Sequence, residues 1–343
     1  MELIDRSLAE STALRFVPRS PEVDAASART VVAQLREVSV EAVEHVRSVT
    51  GLFADASEHR TAIVARPAWI RANLTGVMNI TAPLAEQARE RLSPGAVSVG
   101  SKATAIELGT ALAWLSSKVL GQYDIFGTGE LMLVAPNIVH AERALGVDPR
   151  DFRLWVALHE ETHRVQFGAN PWLGEYVRAQ TEAFLTASEL NGPSSLTRLV
   201  ATMKAFVGIL RGDEQASIIE AIQTPQQREV FDRLTALMTL LEGHADVVMD
   251  DVGPGVVPTV ASIRTAFGQR RSNPNAFDSL ARRLLGMDAK LKQYTHGAVF
   301  VRSVLDAVGM SEFNRIWTGP DTLPTRTEID EPDRWVNRVV RRG

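Results

Sequence analysis

Apolar residues along this chain recur mostly at the three- and four-residue spacing of helices, and strict alternation is rare. Residues 1–20 read as irregular apart from a short turn around Ser7 to Leu14. Residues 21–52 carry a helical pattern with a break near Val38-Ser39, where Ser39 can cap a second segment. In that segment Val40, Val43, Val46, Val49 and Leu52 keep helical spacing, and Gly51 marks its end. His45 points off this valine stripe and is expected at the surface. Arg66-Pro67-Ala68-Trp69 opens another helix, residues 83–92 predict a further one ending at Ser93-Pro94-Gly95, and residues 101–123 form a helix rich in small residues. The glycine turn, apolar run and terminating proline of residues 127–137 predict a strand. Downstream, residues 149–168, 174–190, 195–210, 226–251 and two segments within 276–309 are helical. The proline-bearing stretch 318–335 predicts an ordered tail across the surface. These elements give a mainly α fold with one small β-sheet or hairpin near residue 130. The chain is read as one domain, 1–343, divisible into a helical lobe, 1–125, and a lobe with the candidate site and tail, 126–343.

The most informative helix contains Ala157-Leu158-His159-Glu160-Glu161-Thr162-His163-Arg164-Val165-Gln166-Phe167. Asp148 is its expected N-cap, Pro149 its first helical residue, and Gly168 with Asn170-Pro171 its stop. His159 and His163 are one turn apart on one face, so both imidazoles can reach one ion. Glu160 is turned by about 100° from His159. That is too close to the first histidine for comfortable ligation, but well placed to take a proton from water on the metal. Two histidine ligands and a glutamate base in His-Glu-x-x-His spacing form the zincin arrangement. Glu161 is expected to face solvent or a basic neighbour, and Gln166 to brace the helix against its surroundings.

Composition narrows the chemistry further. With 343 residues and 45% hydrophobic content, the chain can bury a large core. A net charge of −4 gives no reason to expect nucleic acid or an anionic membrane as a partner. There is no cysteine, so a metal must be held by nitrogen and oxygen. Zinc is the default for such a set, with Mn and Co open by ligand type. The opening residues Met1-Glu2-Leu3-Ile4-Asp5-Arg6 lack the apolar core of a signal peptide, and residues 103–121 contain Glu107 and Lys118. A cytoplasmic location is therefore expected.

Catalytic zinc normally has three protein ligands and an open position. The third is sought in Leu240-Leu241-Glu242-Gly243-His244-Ala245-Asp246. Glu242 and Asp246 are one turn apart and can look at the same object, Glu242 as ligand and Asp246 against the free ring nitrogen of a ligating histidine. His244 is the competitor; it lies about 200° around the helix from Glu242, so the two cannot easily share an ion. The spacing favours Glu242, and leaves His244 to line the site or donate to charge developing on the substrate.

The His-Glu-Glu-Thr-His helix, the Glu-Gly-His-Ala-Asp segment and Lys290-Leu291-Lys292-Gln293-Tyr294-Thr295-His296-Gly297 together resemble one family. It is the actinobacterial zinc-dependent metalloprotease family associated with coenzyme F420 biosynthesis, zincin-like and of unknown function. The similarity runs from near Asp5 to Trp335 and includes Val134-Ala135-Pro136-Asn137 and Leu323-Pro324. It implies a mainly helical zincin-like fold and names neither substrate nor role. Nothing in the sequence looks like a deazaflavin-binding site. In better-known zincins with a glutamate third ligand, that residue follows much sooner; here the interval must be filled by inserted helices. Tyr294, in the densest part of the resemblance, is the first choice to donate to a developing oxyanion, ahead of His296, His244 and Tyr176.

The resulting expectation is a zinc-dependent hydrolase, a peptidase or amidase acting on a peptide or small amide. A second expectation is a zincin-derived scaffold without activity that binds a partner, and a third is a helical interaction protein with a chance motif.

Overall fold

The computed structural model describes residues 3–53, 61–91, 94–186, 224–272 and 287–342. By their internal contacts they group into two compact units. One comprises Met1–Glu44, Ala56–Glu161 and Pro254–Gly268, the other His45–Asp55, Thr162–Gly253 and Gln269–Gly343. Among the described residues no helix is long and apolar enough to cross a membrane.

In the first unit, the opening segment is more regular than its pattern suggests. Helix α1 (Arg6–Phe16) is capped by Asp5, whose Oδ1 accepts from the Leu8 N–H at 3.0 Å. α2 (Ala25–Thr50) is one continuous helix through Val38 and Ser39. Ser39 does not cap there; its hydroxyl donates back to the Leu35 carbonyl at 2.7 Å, which a mid-helix serine can do without ending the helix. α3 (Arg66–Arg91) likewise runs on through Pro83, where a new helix was expected. α4 (Pro94–Leu115) stops earlier than the predicted 123, because residues 121–123 leave the helix to join a sheet.

That sheet has three strands, β1 (Thr61–Val64), β2 (Gly121–Tyr123) and β3 (Leu131–Val134), in the order β1-β3-β2. β1 runs parallel to β3, with Thr61 opposite Leu131 and Val64 opposite Val134; β2 runs antiparallel, with Gly121 opposite Leu133. All four β3 residues are buried, as a central strand requires. Both edges of β3 are therefore paired, and an extended substrate cannot add to it. The expected proline stop is instead a helix start, since Pro136 lies in the first turn of α5 (Ala135–Leu145). Asn137 ties the parts together: its Nδ2 donates to the carbonyls of Ser116 (2.7 Å) and Val119 (2.6 Å), and its Oδ1 accepts from Arg66 Nε at 2.7 Å. β2 is secured by Gln122, which accepts from the Trp69 indole at 2.8 Å and donates to Asn73 at 3.0 Å.

α6 (Pro149–Gly168) and α7 (Pro171–Thr186) follow. The predicted helix at 195–210 and the end of the one at 174–190 fall outside the described residues. In the second unit, α8 (Pro225–Val252) opens with a capping box, the Thr224 hydroxyl accepting from Gln227 N–H at 3.1 Å and Gln227 Oε1 from Thr224 N–H at 3.2 Å. α9 (Val260–Ser272), in a stretch the pattern leaves unassigned, belongs mostly to the first unit, and α10 (Met287–Phe313), in the second, bends at Gly309 (φ 77°). α8 and α10 cross at Gly243 and Gly297. A Cβ on Gly243 would lie 2.1 Å from the Gly297 carbonyl carbon, and one on Gly297 would lie 2.1 Å from the Thr239 carbonyl oxygen. Only glycine permits that approach.

The C-terminal stretch is not a tail over the surface. It forms short helical turns, including α11 (Arg326–Asp330) and α12 (Pro332–Trp335), that carry Ile329 and Trp335 into the core. Trp335 meets Phe300 edge-on at 6.2 Å, and its indole donates to the Thr322 carbonyl at 2.7 Å.

Candidate metal centre

α6 begins as its sequence requires: Asp148 Oδ1 accepts from the Asp151 N–H at 2.9 Å. Asp151 in turn accepts from the backbone and hydroxyl of Thr259, at 2.8 and 2.7 Å. Beyond that start the helix is buried nearly all round. From Val156 to Phe167 only His159 and His163 keep partial exposure. Glu161 is buried rather than solvent-facing, and burial together with neighbouring Arg47 draws the Arg164 guanidinium down to about 10.

α8 shows the same economy. Between Thr239 and Met249 only Glu242 and Asp246 are partly exposed, one turn apart on a single stripe. His159, His163 and Glu242 each offer a ligand atom, and the three atoms lie within 4.8 Å of one another. Two imidazole nitrogens and a carboxylate oxygen at that separation are a donor set suited to zinc, and three protein donors leave a coordination position for solvent or substrate.

Gln166, one turn beyond His163, is fully buried, and both of its side-chain polar atoms have partners. Its Oε1 lies 3.0 Å from His163 Nδ1, and its Nε2 lies 3.0 Å from the Leu241 carbonyl and 3.0 Å from His244 Nδ1. His244 itself is fully buried, with its ring 5.4 Å from those of both Phe313 and Trp317. Burial, helped by nearby His163, pushes its imidazole down to about 3, so the ring is neutral. It is therefore a core residue behind the donor set rather than a member of it, in keeping with its position far around α8 from Glu242.

Glu160 is buried beside Gly121 of β2. A Cβ at Gly121 would fall 2.5 Å from Glu160 Cγ and 2.6 Å from its Cδ, so the strand can pass the carboxylate only as glycine. The periodic pattern of α6 gives no hint of this contact, because it joins residues far apart in the chain. The Gln166 contacts were half legible: a glutamine three residues after His163 shares its helix face.

The other expected residues are placed variously. The Tyr294 side chain lies outside the described residues. His296 is exposed on α10 and faces Asp330, its Nδ1 3.4 Å from the carboxylate. Tyr176 on α7 meets Trp172 edge-on at 6.2 Å, and burial raises the pKa of its phenol.

The chain is similar over 99% of its length, and over 100% of the other chain, to the crystal structure of a "putative hydrolase with a novel fold" from Chloroflexus aurantiacus, at 30% identity and a TM-score of 0.72. A search of curated proteins found no match. The description that matches residues 4–336 is that of the zincin-like metallopeptidases, and the chain belongs to that family.

Proposed function

We propose that this protein is a zinc-dependent peptidase or amidase in which Glu160 is the general base. The observation that carries the reading is that Glu242 of α8 comes within 4.8 Å of His159 and His163 on α6, the helix that also bears Glu160. When bound, zinc would lower the pKa of its water to about 7 and polarise the substrate carbonyl. The Glu160 carboxylate takes the proton of the attacking water and returns it to the leaving amine nitrogen. Burial keeps this carboxylate away from bulk solvent, and Gly121 leaves the room it needs. Asp246, on the same stripe as Glu242, is proposed to accept from the free ring nitrogen of a ligating histidine and so orient it. Tyr294 is the proposed donor to the developing oxyanion.

Among the described strands β1 and β2 each have an outer edge, and β2 is the one beside Glu160. β2 ends the sheet order and touches Glu160 through Gly121, so its outer edge, not β3, is the proposed line along which an extended backbone lies. A site closed by four protein donors would favour a structural metal in an inactive scaffold; the described residues supply three. The test is hydrolysis of a fluorogenic peptide library and dye-labelled casein by the zinc-loaded protein and by Glu160→Gln. The variant should keep its zinc and lose activity. Full activity in Glu160→Gln would remove Glu160 as base, and a zinc-loaded protein that cleaves no probe would favour the scaffold.

A further inference from the structure

We infer that Gln166 is the positioning residue of this centre, and that an amide, not the carboxylate common behind metal-bound histidines, is required there. The inference rests on the zinc reading above. The Leu241 carbonyl can only accept, so the Gln166 atom 3.0 Å from it must be the NH2 group, which settles the orientation of the amide. Its oxygen then faces His163 Nδ1, which must carry a hydrogen; a neutral His163 thereby keeps its lone pair on Nε2, the ring atom that would ligate the metal. The second amide hydrogen points to His244 Nδ1, which must be bare, so His244 carries its hydrogen on Nε2. One side chain thus sets the tautomers of two histidines. It also clamps α8 at Leu241, the residue before Glu242, so the histidine-bearing helix and the carboxylate-bearing helix are registered by the same group.

A glutamate at 166 could accept from His163 Nδ1. It would bring no hydrogen to the buried Leu241 carbonyl, and His244 would have to move its own hydrogen from Nε2, which has no partner among the described residues, to Nδ1 to meet the carboxylate. Methionine has about the same length and neither function. His244, enclosed by Phe313 and Trp317, serves in this arrangement as the acceptor that completes the amide.

The test is zinc affinity by chelator competition for the full chain, Gln166→Met and Gln166→Glu, with circular dichroism of each zinc-free protein as the folding control. Both variants should bind zinc about 10–100-fold more weakly than the parent, the range seen when the partner of a ligating histidine is lost. A Gln166→Met affinity equal to that of the parent would overturn the positioning role, and parent-like affinity in Gln166→Glu would overturn the need for an amide. If neither variant folds, ¹⁵N NMR of the histidines in the zinc-free parent decides. Hydrogen on Nδ1 of His163 and on Nε2 of His244 is expected, and the opposite tautomer at either ring contradicts the inference. If the parent binds no zinc, the zinc reading fails, and the tautomers still test the amide's orientation independently.

Discussion

Helix α6 contributes to two polar clusters of different make-up, one buried and one partly exposed. Near its start, Arg153 pairs with Glu142 through two hydrogen bonds, Nε to Oε2 at 2.9 Å and Nη2 to Oε1 at 2.6 Å, while Nη1 donates to Gln34. Both charged side chains are more than nine-tenths buried, and donors meet acceptors in a fork-to-fork arrangement. About two turns on, His159 and His163 meet Glu242 of α8, each of the three offering a ligand atom at a partly exposed position. The first cluster is complete from the protein's own groups. The second brings together three atoms that could each ligate the proposed metal. Arg153 and Glu142 satisfy each other away from solvent, whereas His159, His163 and Glu242 bring three potential ligand atoms together at partly exposed positions, as the proposed metal site requires.

The variants that probe this contrast should sort cleanly. The largest effect belongs to Glu160→Gln, which should lower kcat about 10²–10⁴-fold with zinc content unchanged, read by steady-state kinetics beside elemental analysis. Next, Glu142→Ala leaves Arg153 buried without its carboxylate. It should cost about 3–5 kcal/mol in denaturant unfolding while zinc affinity stays at the parent value. A drop in zinc affinity with no loss of stability would erase the distinction between the clusters. Gly121→Ala pushes a methyl group into Glu160 and should lower kcat about 10²-fold, the cost of displacing a reacting group by about 1 Å, with zinc still bound. Last, free zinc at about 100 times its Kd should stabilise the parent by about 2.7 kcal/mol in thermal or denaturant unfolding, and should stabilise Glu242→Ala far less.

The sequence made the centre legible where its signals are local. Asp148, Pro149 and the period of the apolar face define α6, and the four-residue spacings of His159/His163 and Glu242/Asp246 set each pair on one face. α8 was legible for the same reason, with its apolar period running to Gly253. What was not legible depends on partners remote in the chain. β2 has three residues, too few to show a period, and exists because Leu131–Leu133 pairs with it. Ser39 and Pro83 resemble helix boundaries, yet the helices run on through both. Glu161 reads as a surface residue until the packing around α6 is seen to enclose it. Trp335 lies in a stretch of few apolar residues, and its burial is set by Phe300 of α10.

Zinc K-edge absorption on the zinc-loaded protein, with elemental analysis of the same sample, tests the central claim most directly. The account predicts one zinc per chain, two imidazole nitrogens at about 2.0–2.1 Å, a carboxylate oxygen and a light solvent atom, with the carboxylate lost in Glu242→Ala. Substoichiometric zinc, or a shell unchanged when Glu242 is removed, would contradict it.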